Sequence, residues 1–198
     1  MASAALGVIC SILVSCAYRF GYTQRDLPFG HKLVAIPVFL NVTQQVGIEG
    51  LFTNELIKQF HRSQVAVVTD IEHAPISIQG KILSIKYVHG GQVDANKADE
   101  NTLQLPPNTV LTVEYRVLLD AEIVIKNKVD SKILWQGRFN NERVYSAPQV
   151  GGTLNGSTIN PAINSVNPIY NQSARMEVFE QMAQDMMAEA HDRMTENF

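Results

Sequence analysis

The fold is decided by residues 32–70, KLVAIPVFLNVTQQVGIEGLFTNELIKQFHRSQVAVVTD. Two short runs rich in branched apolar residues, Lys32–Leu40 and Gln64–Asp70, are typical of buried strands. Between them, apolar residues recur at helical spacing over Ile48–Arg62. A strand, one helix and a second strand predict a right-handed βαβ unit with parallel strands. Because Pro37 lacks a backbone donor, we expect the first strand to be bulged or at an edge there.

Three further strands are predicted after this unit. Ile76–Val88 alternates between apolar and polar residues but shifts phase near Leu83 and Ser84, which indicates a β-bulge. Thr109–Lys126 and Lys132–Tyr145 alternate over long spans and are separated by a short turn. We therefore expect these strands to form an antiparallel meander.

The last predicted element is a helix over Ala174–Thr195, whose stripe of methionine, alanine and aromatic side chains is more typical of core than of an adaptable binding surface. Because each helix has one apolar face, both should cover one face of a single sheet. The prediction is an α+β fold, a two-layer α/β sandwich with a mixed four- to five-stranded sheet in the order β-α-β-β-β-β-α. It forms one domain over residues 32–198, with a flexible uncharged loop at 146–173.

Composition and motifs argue against several functional classes. The 198 residues carry a net charge of −3, which disfavours binding to nucleic acid through a general basic field. Both cysteines lie in the first sixteen residues, so the body has no cysteine for a disulfide or a thiol site. The five histidines show no metal-ligand spacing, and neither a phosphate-binding glycine loop nor a nucleophile elbow is found. We expect a protein that is not an enzyme and that uses no metal.

The amino terminus resembles a bacterial lipoprotein signal. Residues 1–15 are uncharged and apolar, too short to span a membrane as a helix but suitable for a signal peptide. They end in Leu13-Val14-Ser15 before Cys16, as in a lipobox, whereas Cys10 follows a bulky isoleucine. We therefore expect Cys16 to carry N-acyl (palmitate-type) and S-diacylglycerol groups, followed by a linker over 16–31. Several acyl chains give stable anchoring, and Ala17 rather than aspartate after the cysteine favours the outer membrane.

One cluster of basic residues stands out in this acidic chain. Only Asp130 and Glu142 oppose it, and clustered cations suit phosphates or carboxylates. An exposed hairpin with ordinary solubilising charges is the alternative interpretation. The candidate ligand-binding residues, for the phosphates of a ligand, are Lys126, Lys128, Lys132, Arg138 and Arg143.

An ordered set of short segments along the chain carries a family resemblance. The segments are the opening Cys16–Phe20, Val34–Thr43, the helix segment from Gly47 to Phe60, Gly80-Lys81-Ile82, Tyr115-Arg116-Val117, Leu134-Trp135 and the terminal helix. No single motif is specific, but together with the lipobox the set touches the whole mature chain. In this order the segments resemble the LptE family of lipopolysaccharide-assembly lipoproteins.

The resemblance implies a lipoprotein at the periplasmic face of the outer membrane that plugs an LptD-type β-barrel, assists its assembly and binds lipopolysaccharide during transport. The chain departs from the family in lacking a basic segment before its signal and in its long uncharged loop. The resemblance assigns no lipopolysaccharide-binding residue to a position here. A CsgG-like secretion-pore lipoprotein or an LpoB-like activator of peptidoglycan synthases is the alternative; the partner discriminates between them.

Overall fold

The computed structural model describes residues 25–94, 110–112, 114–146 and 168–196. A short 3-10 turn at Pro28–Gly30 precedes the first strand. The remaining elements are β1 (Leu33–Ala35), β2 (Leu40–Asn41), α1 (Ile48–Ser63), β3 (Val67–Val68), β4 (Ile76–His89), β5 (Gln92–Asp94), β6 (Val110–Thr112), β7 (Glu114–Asn127), β8 (Ile133–Ser146) and α2 (Pro168–Thr195).

The main sheet has the strand order β3-β1-β4-β7-β8, and β2 also pairs with β4. Strand β1 is parallel to both β3 and β4, whereas β4, β7 and β8 form an antiparallel meander. The short strands β5 and β6 pair separately as a ribbon. The predicted α+β fold, the βαβ unit and the meander are therefore confirmed.

The first predicted strand is divided in two, which raises the number of strands above the four to five expected. Pro37 lies between β1 and β2, and Val38 beside it is 68% exposed, so the run is not buried on both faces. The Phe39 amide, which has left the ladder, donates to the Thr53 hydroxyl of α1 at 3.0 Å. This buried hydrogen bond ties the interrupted strand to the helix above it.

The predicted bulge is present in β4, where the pairing with β7 shifts register between Ile82 and Ser84. Because of this shift, Ile82 and Ile85 both face the helices although they are three residues apart. Gly80, just before the bulge, lies against the Phe39 ring: a Cβ at this glycine would come within 2.2 Å of it. No larger residue fits there unless Phe39 moves.

Both helices cover the same face of the sheet and contact each other. The rings of Phe60 in α1 and His191 in α2 meet edge to face at 5.0 Å. The helix residues predicted to pack on the sheet lie in one core: Leu51 is partly buried, and Phe52, Leu56, Phe60, Val178, Phe179, Met182 and Met186 are buried. The methionine stripe of α2 is therefore core, as expected.

Helix α2 and the buried core both begin earlier in the chain than the sequence pattern predicts. Helix α2 begins at Pro168 rather than at Ala174, because proline is well suited to the first turn of a helix. Leu27, within the predicted linker, is 2% exposed and belongs to the core, and Arg25 pairs with Asp192 of α2 at 2.6 Å. The signal peptide, Cys16 and most of the predicted loop lie outside the described residues.

Candidate functional site

The turn between β7 and β8 carries three of the five predicted ligand-binding residues. Lys126 ends β7 on the face away from the helices, and Lys128 and Lys132 are exposed on either side of the turn. The Lys128 ammonium donates to the Glu72 carbonyl at 2.6 Å, and the Asp130 carboxylate accepts the Lys132 amide at 3.1 Å. We call residues 126–132 the lysine tip.

A shallow cleft of about 180 Å³ lies beside the lysine tip. Its lining includes Lys126 and Lys128 together with Ile71 and Ser77. The tip also presents an apolar side chain, since Val129 is 92% exposed. Cations and exposed aliphatic groups therefore lie next to each other at this end of the molecule.

The other two predicted ligand-binding residues lie apart from the tip and from each other. Arg138 is on the face of β8 that points away from the helices, 3.8 Å from Asp120. Arg143 is on the opposite face, because it is an odd number of residues further along the strand, and it pairs with Asp185 of α2. The structure thus brings together the three lysines and separates both arginines from them.

The face of the sheet opposite the helices, which we call the open face, is mainly polar. Several of its charged groups have a partner on a neighbouring strand: Arg116 lies 3.0 Å from Glu142, and Glu122 accepts the amide of Gln136 at 2.6 Å. An open depression of about 560 Å³ crosses this face beside Leu118. The alternating pattern of β7 therefore places a polar surface on the side that neither helix covers.

The residues of the family-like segment around Asn41 form a cap on α1. The Asn41 amide donates to Glu49 at 2.9 Å, and its carbonyl accepts the Thr43 amide at 2.9 Å. The Glu49 carboxylate also accepts the Gly47 amide, where a φ of 93° favours glycine. Hydrogen bonds from its own backbone and from Asn41 lower the pKa of Glu49. This part of the resemblance has a structural role, the entry of the chain into α1.

An aromatic cluster at the far end of the sheet was missed by the sequence analysis. Tyr115 and Tyr145 stack at 5.5 Å, and Arg175 of α2 hydrogen-bonds the Tyr87 hydroxyl. Burial raises the pKa of both Tyr87 and Tyr145. In the sequence, the cluster is signalled by Arg175 alone, which ends the long uncharged stretch. The tyrosines give no local signal, because pairing between distant strands brings them together.

His191 has neighbours that superficially suggest catalysis but do not form a triad. Its Nε2 lies 2.8 Å from the Ser63 hydroxyl, and burial lowers its pKa. Asp192, however, lies 3.6 Å from Nδ1, beyond a good hydrogen bond, and is paired with Arg25. Within the described residues no group of three His, Cys, Asp or Glu side chains could hold a metal ion. In the same part of the chain, no helix is long and apolar enough to cross a membrane.

Comparison with known proteins identifies a family but no near relative. Among curated proteins, none matches the chain. Several solved structures resemble it weakly. PelC from Paraburkholderia phytofirmans has 9% identity and a TM-score of 0.47, and the match covers 87% of this chain and 93% of PelC. A lipoprotein from Caulobacter crescentus has 8% identity and a TM-score of 0.43, and the match covers 80% of this chain and 88% of that lipoprotein. The rare lipoprotein B from Shewanella oneidensis has 10% identity, 82% and 90% covered and a TM-score of 0.34. At these scores the likeness carries no argument about function.

The family model described as LptE, lipopolysaccharide-assembly, matches residues 32–196. The match begins just before β1 and ends just after α2, so it covers the whole sheet and both helices. It confirms the resemblance carried by the ordered segments. The chain therefore belongs to the LptE family of lipopolysaccharide-assembly proteins.

Proposed function

We propose that the chain is a lipid-anchored outer-membrane protein that lodges in an LptD-type β-barrel, assists its assembly and binds lipopolysaccharide on its way to the cell surface. The family match over residues 32–196 carries this proposal. The family works in assembly rather than in catalysis.

The open face supports the plugging role. The interior of a membrane β-barrel is polar, and a plug must present a surface that such a wall can contact. The open face offers paired charges and amides in alternation, such as Arg116, Glu122 and Gln136, rather than a continuous apolar patch. Most apolar side chains of β7 point instead toward the helices, where they are buried; Leu118 and Val124 are the partly buried exceptions on the open face.

The lysine tip supports the ligand-binding role. Lipid A carries phosphate groups, and charge-assisted hydrogen bonds from lysine to phosphate are stronger than neutral ones. Lys126, Lys128 and Lys132 occupy one end of one hairpin and could contact such groups together. Arg138 and Arg143 each have a carboxylate partner, and we assign them a supporting role in the fold.

Anchoring at Cys16 is tested by metabolic labelling with a palmitate analogue. We expect the label on the wild type and on Cys10→Ala, and its loss from Cys16→Ala. A label that persists in Cys16→Ala and disappears from Cys10→Ala would reverse the assignment.

The partner is tested by purifying the lipidated chain from outer membranes in mild detergent. We expect a 1:1 complex with a β-barrel protein. A homo-oligomeric ring, or co-purification with a peptidoglycan synthase, would instead favour the CsgG-like or LpoB-like alternative.

Ligand binding is tested in the same purified chain by changing Lys126, Lys128 and Lys132 to glutamate. Lipopolysaccharide binding should weaken and lose its salt dependence, while circular dichroism and barrel association remain unchanged. The matched control places the same change of charge away from the tip: Lys58, Lys81 and Lys86 to glutamate. Equal binding by both triple variants would place the ligand site away from the tip.

A further inference from the structure

The amino-terminal segment and the lysine tip lie at the same end of the molecule. Val34 of β1 is paired with Ile76 of β4, and Ile76 is paired with Asn127 of β7, so these residues form one row across three strands. Two strand spacings separate the ends of this row by about 10 Å. The tip therefore projects beyond the row on the side from which the chain enters β1.

Helix α2 holds the incoming chain at this end. Arg25 pairs with Asp192 near the end of α2 at 2.6 Å, and Leu27 is buried in the core. His191, next to Asp192, contacts Ser63 at the end of α1. The carboxyl ends of both helices, the entering segment and the lysine tip thus form one end of the domain, which we call the anchored end.

The length of chain before Arg25 limits how far the anchored end can move from a membrane. Even fully extended, residues 16–25 reach at most about 30 Å. This reach is shorter than strand β8, which is about 45 Å long. The opposite end of the domain therefore cannot take the place of the anchored end at the membrane unless Arg25 and Leu27 are released. The inference that follows rests on the proposed lipid at Cys16.

We propose that the anchored end contacts the phospholipid headgroups of the leaflet that holds the lipid, with the lysine tip as the contacting element. Val129 at its apex is 92% exposed, and Ile133 beside it is 50% exposed. Lys128 and Lys132 flank this apex. Aliphatic groups that enter the boundary of a bilayer, beside lysines that reach its phosphates, are typical of interfacial contact.

Two acidic residues near the tip are already engaged within the protein. The Asp130 carboxylate accepts the Lys132 amide and so completes the turn, and the Asp70 carboxylate is bound to His73. The contact also fixes the orientation of the domain relative to the membrane. The cluster of Tyr87 and Arg175, at the opposite end of the domain, then points away from the leaflet.

The orientation is tested with the lipidated full chain in vesicles of phosphatidylethanolamine and phosphatidylglycerol that contain a headgroup-attached quencher. A fluorophore is placed at Val129→Cys or, as the matched control, at Val88→Cys. Both valines are exposed, and Val88 lies about 40 Å along β4 from the tip. We expect several-fold stronger quenching at position 129. Equal quenching, or stronger quenching at position 88, would overturn the proposal.

The role of the lysines is tested by adding Lys126→Gln, Lys128→Gln and Lys132→Gln to the Val129→Cys chain. Quenching should fall in these vesicles, whereas unchanged quenching would overturn the phosphate contact. Mass spectrometry of the amino-terminal peptide separates the two levels of failure. An unlipidated Cys16 overturns the anchoring proposal and this inference with it, whereas a lipidated chain with equal quenching overturns the orientation alone.

Discussion

The two faces of strand β7 have opposite environments. The residues that point toward the helices are at most 1% exposed, and they are Val117, Leu119, Ala121, Ile123 and Ile125. Their neighbours on the open face include Arg116, Asp120 and Glu122, which pair with residues of β4 or β8. One strand thus separates a closed core from a polar surface with a period of two residues.

This contrast separates the residues that fix the fold from those available for partners. Residues on the buried face cannot be exchanged freely, because they belong to one close-packed core with residues of both helices. The open face can change in charge without loss of packing. Substitutions that compare the two faces should therefore differ strongly in their effect on stability.

The largest expected effect is at Phe52, which α1 buries completely in the core. Phe52→Ala should lower the free energy of unfolding by about 3–5 kcal/mol, because it removes apolar contacts and leaves a cavity. Val124→Ala on the open face should cost less than about 1 kcal/mol. Chemical denaturation followed by circular dichroism measures both; similar losses for the two variants would contradict the separation of faces.

Two glycines provide a second, smaller contrast. A methyl group at Gly80 would meet the Phe39 ring, so Gly80→Ala should destabilise the protein by roughly 1–3 kcal/mol. Gly50 lies within α1, and a methyl group there would meet nothing within 4 Å. Gly50→Ala should stabilise by up to about 1 kcal/mol, through helix propensity alone. Thermal unfolding checks both signs, and stabilisation by Gly80→Ala would show that the ring moves freely.

Two of the long alternating strands were predicted closely. The limits of β4 and β8 agree with prediction to within a residue or so, and the bulge at Ser84 was visible as a change of phase. The first strand was predicted less well. A local pattern does not reveal that Pro37 divides this strand, or that the Phe39 amide then donates a hydrogen bond to the Thr53 hydroxyl.

The candidate site was predictable only in part, for the same reason. The three lysines of the tip are close in sequence and remain close in space. Arg143 was grouped with them by charge, although strand parity turns it toward Asp185. The cluster of Tyr87, Tyr145 and Arg175 depends on contacts between distant segments, which no local pattern encodes.

A third prediction concerns the pH dependence of the helix-covered side. Because burial lowers the pKa of His191, the unfolded chain takes up a proton there before the folded chain does. Stability should therefore be greatest above the ordinary histidine pKa of about 6.5 and fall as the pH drops below it. His191→Gln should flatten this fall between neutral and mildly acidic pH. The control His61→Gln removes an exposed imidazole and should retain it; retention by both variants would assign the effect to other groups.

The smallest expected effect is at the ion pair of Arg116 and Glu142 on the open face. Both side chains are nearly half exposed, so their attraction is screened by water and salt. A double-mutant cycle with Arg116→Ala and Glu142→Ala should give a coupling energy of about 0.2–1 kcal/mol that decreases further in high salt. A barrel wall that excludes water from this face would strengthen the same pair, since charges interact more strongly at lower dielectric. Each substitution should therefore change the thermal unfolding of the purified chain very little. The same substitution should measurably reduce association of the chain with the barrel. Equal and negligible responses in both assays would place the barrel contact on a different face.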